Sequence, residues 1–192
     1  MGSMQGALGL LSASSDVVPR RNQIVDFLPV QMEQPMATTL QRVKSEMAEH
    51  MTDNMIQVSH TDRAIFLEIP DSLLFAPGST TIHPAAFEFL GDLGEALSST
   101  DSRAEFIGYT DSTPSRGTSN WLLGAERAYM VMEYVLETHP DLDPERLKLG
   151  SRGEFGAKTL NDSLEGRLRN RRVVVKLHVG SESDEQAFDD VF

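Results

Sequence analysis

Residues 106–127, FIGYTDSTPSRGTSNWLLGAER, hold the side chains best placed for chemistry. Asp111 supplies an anion and Arg127 a cation. A carboxylate accepts hydrogen bonds from an ammonium group, and a guanidinium grips a carboxylate as a two-pronged fork. The alternation over Arg103–Tyr109 reads as a strand. It breaks at the turn residues Thr110-Asp111-Ser112-Thr113-Pro114. A helix restarts near Ser119-Asn120, both good N-cap types. Asp111 therefore ends a strand and Arg127 lies two turns into the next helix. A strand end facing a helix N-terminus is a usual place for a ligand site. The plainer reading stays open: Asp after a strand is commonly a turn residue, and an Arg on a helix face is commonly solvated.

Three sequence elements carry a resemblance. They are Gly108-Tyr109-Thr110-Asp111, then Ser119-Asn120-Trp121-Leu122-Leu123-Gly124-Ala125-Glu126-Arg127-Ala128, then Gly166-Arg167-Leu168-Arg169-Asn170-Arg171-Arg172-Val173. In order and spacing they resemble the OmpA-like peptidoglycan-binding domain, whose pattern is roughly G-H-T-D, N-x-x-L-S-x-x-R-A and G-R-x-x-N-R-R-V. The Ser119-Asn120-Trp121 form, with Phe75-Ala76-Pro77-Gly78-Ser79 upstream, is most similar to the MotB/PomB branch, the peptidoglycan-anchoring stator subunits of flagellar motors. The resemblance spans about residues 63–178. It departs from the pattern twice, with Tyr109 for the usual His and Gly124 for the usual Ser.

The resemblance implies a non-enzymatic anchor that binds the diaminopimelate of peptidoglycan. Asp111 and Arg127 would take its ammonium and carboxylate, with Thr110, Asn120, Asn170 and Arg171 completing the site. It implies the periplasmic region of an inner-membrane protein that works as a homodimer beside a MotA-type membrane subunit. The transmembrane helix carrying the ion-conducting Asp in that family is expected upstream of this chain. The alternative is an OmpA-like outer-membrane or lipoprotein-type envelope tether with no motor role. Tyr109 neighbours Asp111 and can donate one hydrogen bond, so binding is expected to survive that replacement.

Composition narrows the classes. The net charge of −12 over 192 residues argues against nucleic acid as the main partner, because phosphate binding needs a basic face. The absence of cysteine removes disulfides, thiol catalysis and Cys metal sites. The apolar run Gly6–Leu11 is far short of the ~20 residues of a spanning helix. His50, His60, His83, His139 and His178 show no metal-ligand spacing, and no nucleophile-elbow motif occurs. No cofactor or metal is expected. The acidic group Asp141, Asp143 and Glu145 reads as a solvated turn or a weak cation site. Arg167, Arg169, Arg171 and Arg172 read as a local basic patch, serving either as site wall or as stems covering the core.

The elements that must position these residues follow from periodicity. Residues 1–37 read as a linker, with a docking segment or short helix around Ile24-Val25-Asp26-Phe27-Leu28. Residues 38–52 hold a helix, Thr38 to Met51, whose stripe Leu40, Val43, Met47, Met51 either packs on the domain or pairs with a second copy. Residues 53–179 form the domain. Its strands are 55–60 and 63–69; a helix over 84–97 starts with Pro84. The strand to Tyr109 and a helix over 119–138 follow, then a strand over 146–150, a short helix within 160–170 and a last strand over 173–179. The helix over 119–138 is expected to bury Leu122, Ala125, Tyr129, Met132 and Leu136, which leaves Arg127 on the opposite side. Phe75 and Trp121 are expected in the core or lining the pocket. An acidic tail, 180–192, is expected to be disordered. The order β-β-α-β-α-β-(α)-β implies an α/β (α+β) sandwich with helices on one face of a mixed sheet.

Overall fold

Strand β2 (Ala64–Pro70) shows how the fold is built: Ile65, Leu67 and Ile69 are fully buried while Phe66 and Glu68 are only half covered. That period-2 pattern demands one apolar roof, and the helices supply it. The computed structural model describes residues 34–51, 56–76, 79–114 and 117–179, all within one compact unit. The expected linker and its docking segment, and the acidic tail, fall outside those residues except for the last part of the linker.

Five strands form one mixed sheet in the order β1-β2-β5-β3-β4. They are β1 (Gln57–His60), β2, β3 (Arg103–Tyr109), β4 (Leu147–Gly153) and β5 (Arg172–His178). Every pairing is antiparallel except β3 with β4. The parallel pair requires a crossover, and α5 (Asn120–Thr138) provides it. Helices α1 (Gln34–Glu46), α4 (Phe87–Ser98) and α5 cover one face. Short helices α2 (Ala48–Met51), α3 (Asp71–Leu74) and α6 (Leu164–Asn170) complete the described chain. The expected order of strands and longer helices is the one observed; the helix expected over 38–51 divides into α1 and α2, and the short α3 was not expected.

Helix α1 begins at Gln34, earlier than the expected Thr38, and its buried stripe runs Met36, Leu40, Val43, Met47. The stripe packs on α4. His50 of α2 extends that contact, its Nε2 lying 2.8 Å from Asp92 Oδ2 and its ring edge-on to Phe89. The end of α4 is fixed from a distance: Arg146 donates to the carbonyls of Leu97 (3.1 Å), Thr100 and Ser102 (2.6 Å). Two other expectations change. Strand β4 continues to Gly153, past its expected end at Gly150, and the strand expected over 63–69 runs on to Pro70 before Asp71 opens a helical turn. Asp143 accepts from the Glu145 N–H, which makes that acidic group the cap of a tight turn.

Candidate functional site

Register brings the site together. Arg172, at the start of the central strand β5, lies opposite Pro70 on one side and Tyr109 on the other. The residues just beyond those partners, Asp71, Asp111 and Arg171, therefore meet at one end of the sheet. Side chains alternate across a sheet, so Arg171 and Arg172 part to opposite faces. Arg172 lies over the Tyr109 ring, 3.9 Å from its centroid. Arg171 turns to Asp111, its Nη1 donating to Oδ2 at 2.6 Å.

Asp111 is 4% exposed. Its Oδ1 accepts from the Thr113 N–H at 2.8 Å, so it is a turn residue and an ion-pair partner at once. Burial by itself would raise this carboxyl's pKa. The Thr113 hydrogen bonds and the Arg171 guanidinium outweigh it and hold the pKa below the usual value.

Arg127 is the main correction. It lies on the buried face of α5 with Gly124, Ala128, Val131 and Val135, and is 5% exposed. The expected stripe faces out in part: Leu122 and Tyr129 are exposed. The reason is the close approach of α5 to β3. A Cβ on Gly108 would stand 1.8 Å from the Gly124 carbonyl oxygen, so only a glycine at position 108 lets the two backbones meet here. The small residues of α5 turn toward the sheet and take Arg127 with them.

Arg127 reaches Asp71, not Asp111. Its Nε lies 3.1 Å from Asp71 Oδ1, close enough for charge attraction but misaligned for a hydrogen bond. The guanidinium also sits over the Phe75 ring at 5.6 Å, and Phe75 is a core residue. Asp71 Oδ2 lies 3.8 Å from Arg171 Nε, and the Asp71 N–H donates to the Arg171 carbonyl. The four charges thus alternate as Asp111, Arg171, Asp71, Arg127. Burial raises the Asp71 carboxyl above the ordinary range, with Arg127 and Arg171 opposing. Burial also draws Arg127 below its ordinary value, with Asp71 opposing; a guanidinium keeps its charge at neutral pH. Asp71 directly follows the end of β2 and opens α3. Nothing local marks it, since its partners lie 56 and 100 positions away.

The remaining expected residues divide. Asn120 frames the site: its Nδ2 donates to the Asp111 carbonyl at 3.3 Å and to Glu154 Oε2 at 3.1 Å, while its buried Oδ1 has no partner. Ser119 caps α5 by accepting from the Leu122 N–H. Thr110 spends its hydroxyl proton on the Asp111 carbonyl and is 3% exposed, so it shapes the turn. Asn170 is fully buried, and its amide is consumed by the loop before α6. Oδ1 accepts from the N–H groups of Lys158 and Thr159, and Nδ2 donates to the Thr159 carbonyl and Asn161 Oδ1. It supports the wall without facing it. The basic patch dissolves as well: Arg167 bonds the Asn161 carbonyl, Arg169 pairs with Glu165, and Arg172 lies on the far face. Tyr109 shares that far face and does not neighbour the Asp111 carboxylate. Trp121 is exposed and packs on Phe155 at the rim, which corrects its expected place in the core or pocket.

Known proteins share this arrangement of elements. Motility protein B of Bacillus subtilis is 29% identical over 144 residues, covering 71% of this chain and 55% of that protein. The chain thus spans about half the length of that relative. A MotB-like protein from Desulfovibrio vulgaris superposes with a TM-score of 0.66 at 28% identity, over 75% of this chain and 94% of that one. The periplasmic domain of Helicobacter pylori MotB superposes at 0.61 and 25% identity, over 71% and 89%. The profile of the OmpA family matches residues 74–171, half of the sequence and every charged residue of the site except Asp71, and the chain belongs to that family.

Proposed function

We propose that the chain binds peptidoglycan non-covalently through the diaminopimelate of its stem peptides, and that this binding anchors a membrane complex to the cell wall. The observation that carries this reading is Arg127: a guanidinium 95% withdrawn from water whose Nε has no hydrogen bond among the described residues. Burying a charged donor without full partners costs free energy, and a ligand can supply the missing partner. A carboxylate can take the open fork, and Asp111, whose charge also reaches Arg127, can accept from an ammonium on the same carbon. The work is binding rather than catalysis. The family resemblance extends the proposal to the stator of a flagellar motor, in the periplasm, as a homodimer anchored beside a MotA-type membrane subunit. The motility-protein relatives support that extension.

The test is co-sedimentation of the chain with purified peptidoglycan, with Asp111→Ala and Arg127→Ala compared at matched thermal stability. Both variants are expected to stay in the supernatant while the wild type pellets. A folded wild type that fails to pellet would overturn the reading.

A further inference from the structure

Asp71 lies outside all three motif elements and outside the matched family span, yet it occupies the centre of the charged chain. Its carboxylate stands between two guanidiniums, 3.1 Å from Arg127 Nε and 3.8 Å from Arg171 Nε, with a side chain 13% exposed. We propose that Asp71 determines the specificity of this site, making it select a group that bears an ammonium and a carboxylate together over a group that bears a carboxylate alone. The inference rests on the reading of the site given above.

Asp71, Asp111, Arg127 and Arg171 sum to zero when all are ionised, and three of the four side chains are largely withdrawn from water. An uncompensated charge in such a place is costly. A lone carboxylate entering the site would leave it with an excess negative charge. A zwitterionic group adds one charge of each sign and keeps the balance. Without the Asp71 charge the site is cationic by one, and the preference reverses: a lone carboxylate then neutralises it and a zwitterion does not. Asp71 is also held differently from Asp111. Asp111 is tied by the Thr113 N–H and by Arg171. Asp71 is held by charge, which leaves its lone pairs for an incoming ammonium.

The charged groups facing Asp71 are Arg127 from α5, Arg171 from the end of α6 and Asp111 from the turn after β3. The two carboxylates are pushed apart in acidity, Asp71 upward and Asp111 downward. On acidification Asp71 loses its charge first, while Asp111 keeps its own.

The test compares two probes of equal chain length, meso-diaminopimelate and pimelate, titrated into the full chain and followed by NMR shifts. The wild type is expected to bind the diamino compound about tenfold or more tightly than pimelate at neutral pH, the size expected of one charge a few ångströms away at the effective dielectric of a protein surface. Asp71→Asn, which keeps the shape and the main-chain bonds, is expected to bring that ratio to one or below. A variant that weakens both probes equally, with the ratio unmoved, would show a merely structural role and overturn the inference. Should Asp71→Asn fail to fold, the wild type decides alone. Its ratio must fall as the solution is acidified from neutral pH, through the range in which Asp71 loses its charge before Asp111; a ratio that stays constant until the chain unfolds overturns the inference. A wild type that binds neither probe overturns this inference together with the proposed function. A wild type that binds diaminopimelate with a ratio insensitive to Asp71 overturns this inference alone.

Discussion

Gly108→Ala should do more damage than its single methyl suggests. The new Cβ would stand 1.8 Å from the Gly124 carbonyl oxygen, where side-chain carbons essentially never come within 3.0 Å of a neighbour. Helix α5 would have to retreat by the difference between those figures, about 1.2 Å, because both partners are backbone and neither can rotate away. Overpacking a fitted interior costs about 1–3 kcal/mol, and a backbone-on-backbone clash belongs at the top of that range. With a urea slope of about 2 kcal/mol per molar, a 3 kcal/mol loss moves the unfolding midpoint down by about 1.5 M. Arg127 lies three residues beyond Gly124 and travels with the helix. Its 3.1 Å approach to Asp71 would lengthen, and peptidoglycan binding should weaken beyond what the stability loss explains. Gly124→Ala is the internal control. Its Cβ would meet the rotatable Ser151 hydroxyl at 2.5 Å and the Gly108 carbonyl at 2.9 Å. Replacing a helical glycine by alanine returns about 1 kcal/mol, so the net loss should stay well under that of Gly108→Ala. Urea titrations followed by circular dichroism measure both. A Gly108→Ala protein within about 1 kcal/mol of the wild type, or one more stable than Gly124→Ala, would refute the close-approach reasoning.

Two further outcomes follow from single side chains. Arg146→Ala strips the donors that meet the carbonyls of Leu97, Thr100 and Ser102. Hydrogen bonds from a charged donor contribute about 1.5–3 kcal/mol each without adding fully; a melting temperature lowered by about 6 °C or more is expected in calorimetry, and a change within about 1 °C would deny the strut. Asp111→Asn tests the depressed acidity of that carboxyl. A folded-state pKa below the unfolded value contributes stability that is complete above about pH 4 and is lost as pH falls through the folded value. The variant should therefore be less stable than the wild type by about 2 kcal/mol at pH 7, the size of a hydrogen bond to a charged group, with the gap closing as the pH falls through the folded-state value. Asp71, shifted the other way, has the opposite slope, its favourable share being lost as pH rises, so the informative quantity is the difference between the two proteins. A gap that persists unchanged in acid would contradict the assignment.

Local pattern determined much of this protein. The alternation of Ile65, Leu67 and Ile69, the β-branched run from Val173, the Ser119 cap and the turn at Asp111 each follow from forces that act over a few residues, and the structure has all of them. The three spaced elements by themselves point to Asp111 and Arg127. The face on which Arg127 lies was a different matter. Helix α5 is apolar around more than half its circumference, so periodicity offers two stripes. The choice between them rests on Gly124 meeting Gly108 across a gap that no window of sequence contains. The glycines were a readable sign, had their pairing across β3 and α5 been known. Asp71 was beyond local reading altogether. It enters the site because β5 is central and pairs with both β2 and β3, which puts Pro70, Tyr109 and Arg172 side by side. Sheet register is a long-range property, decided by the burial of whole faces. It alone converts residues at 71, 111, 127 and 171 into one alternating chain of charges.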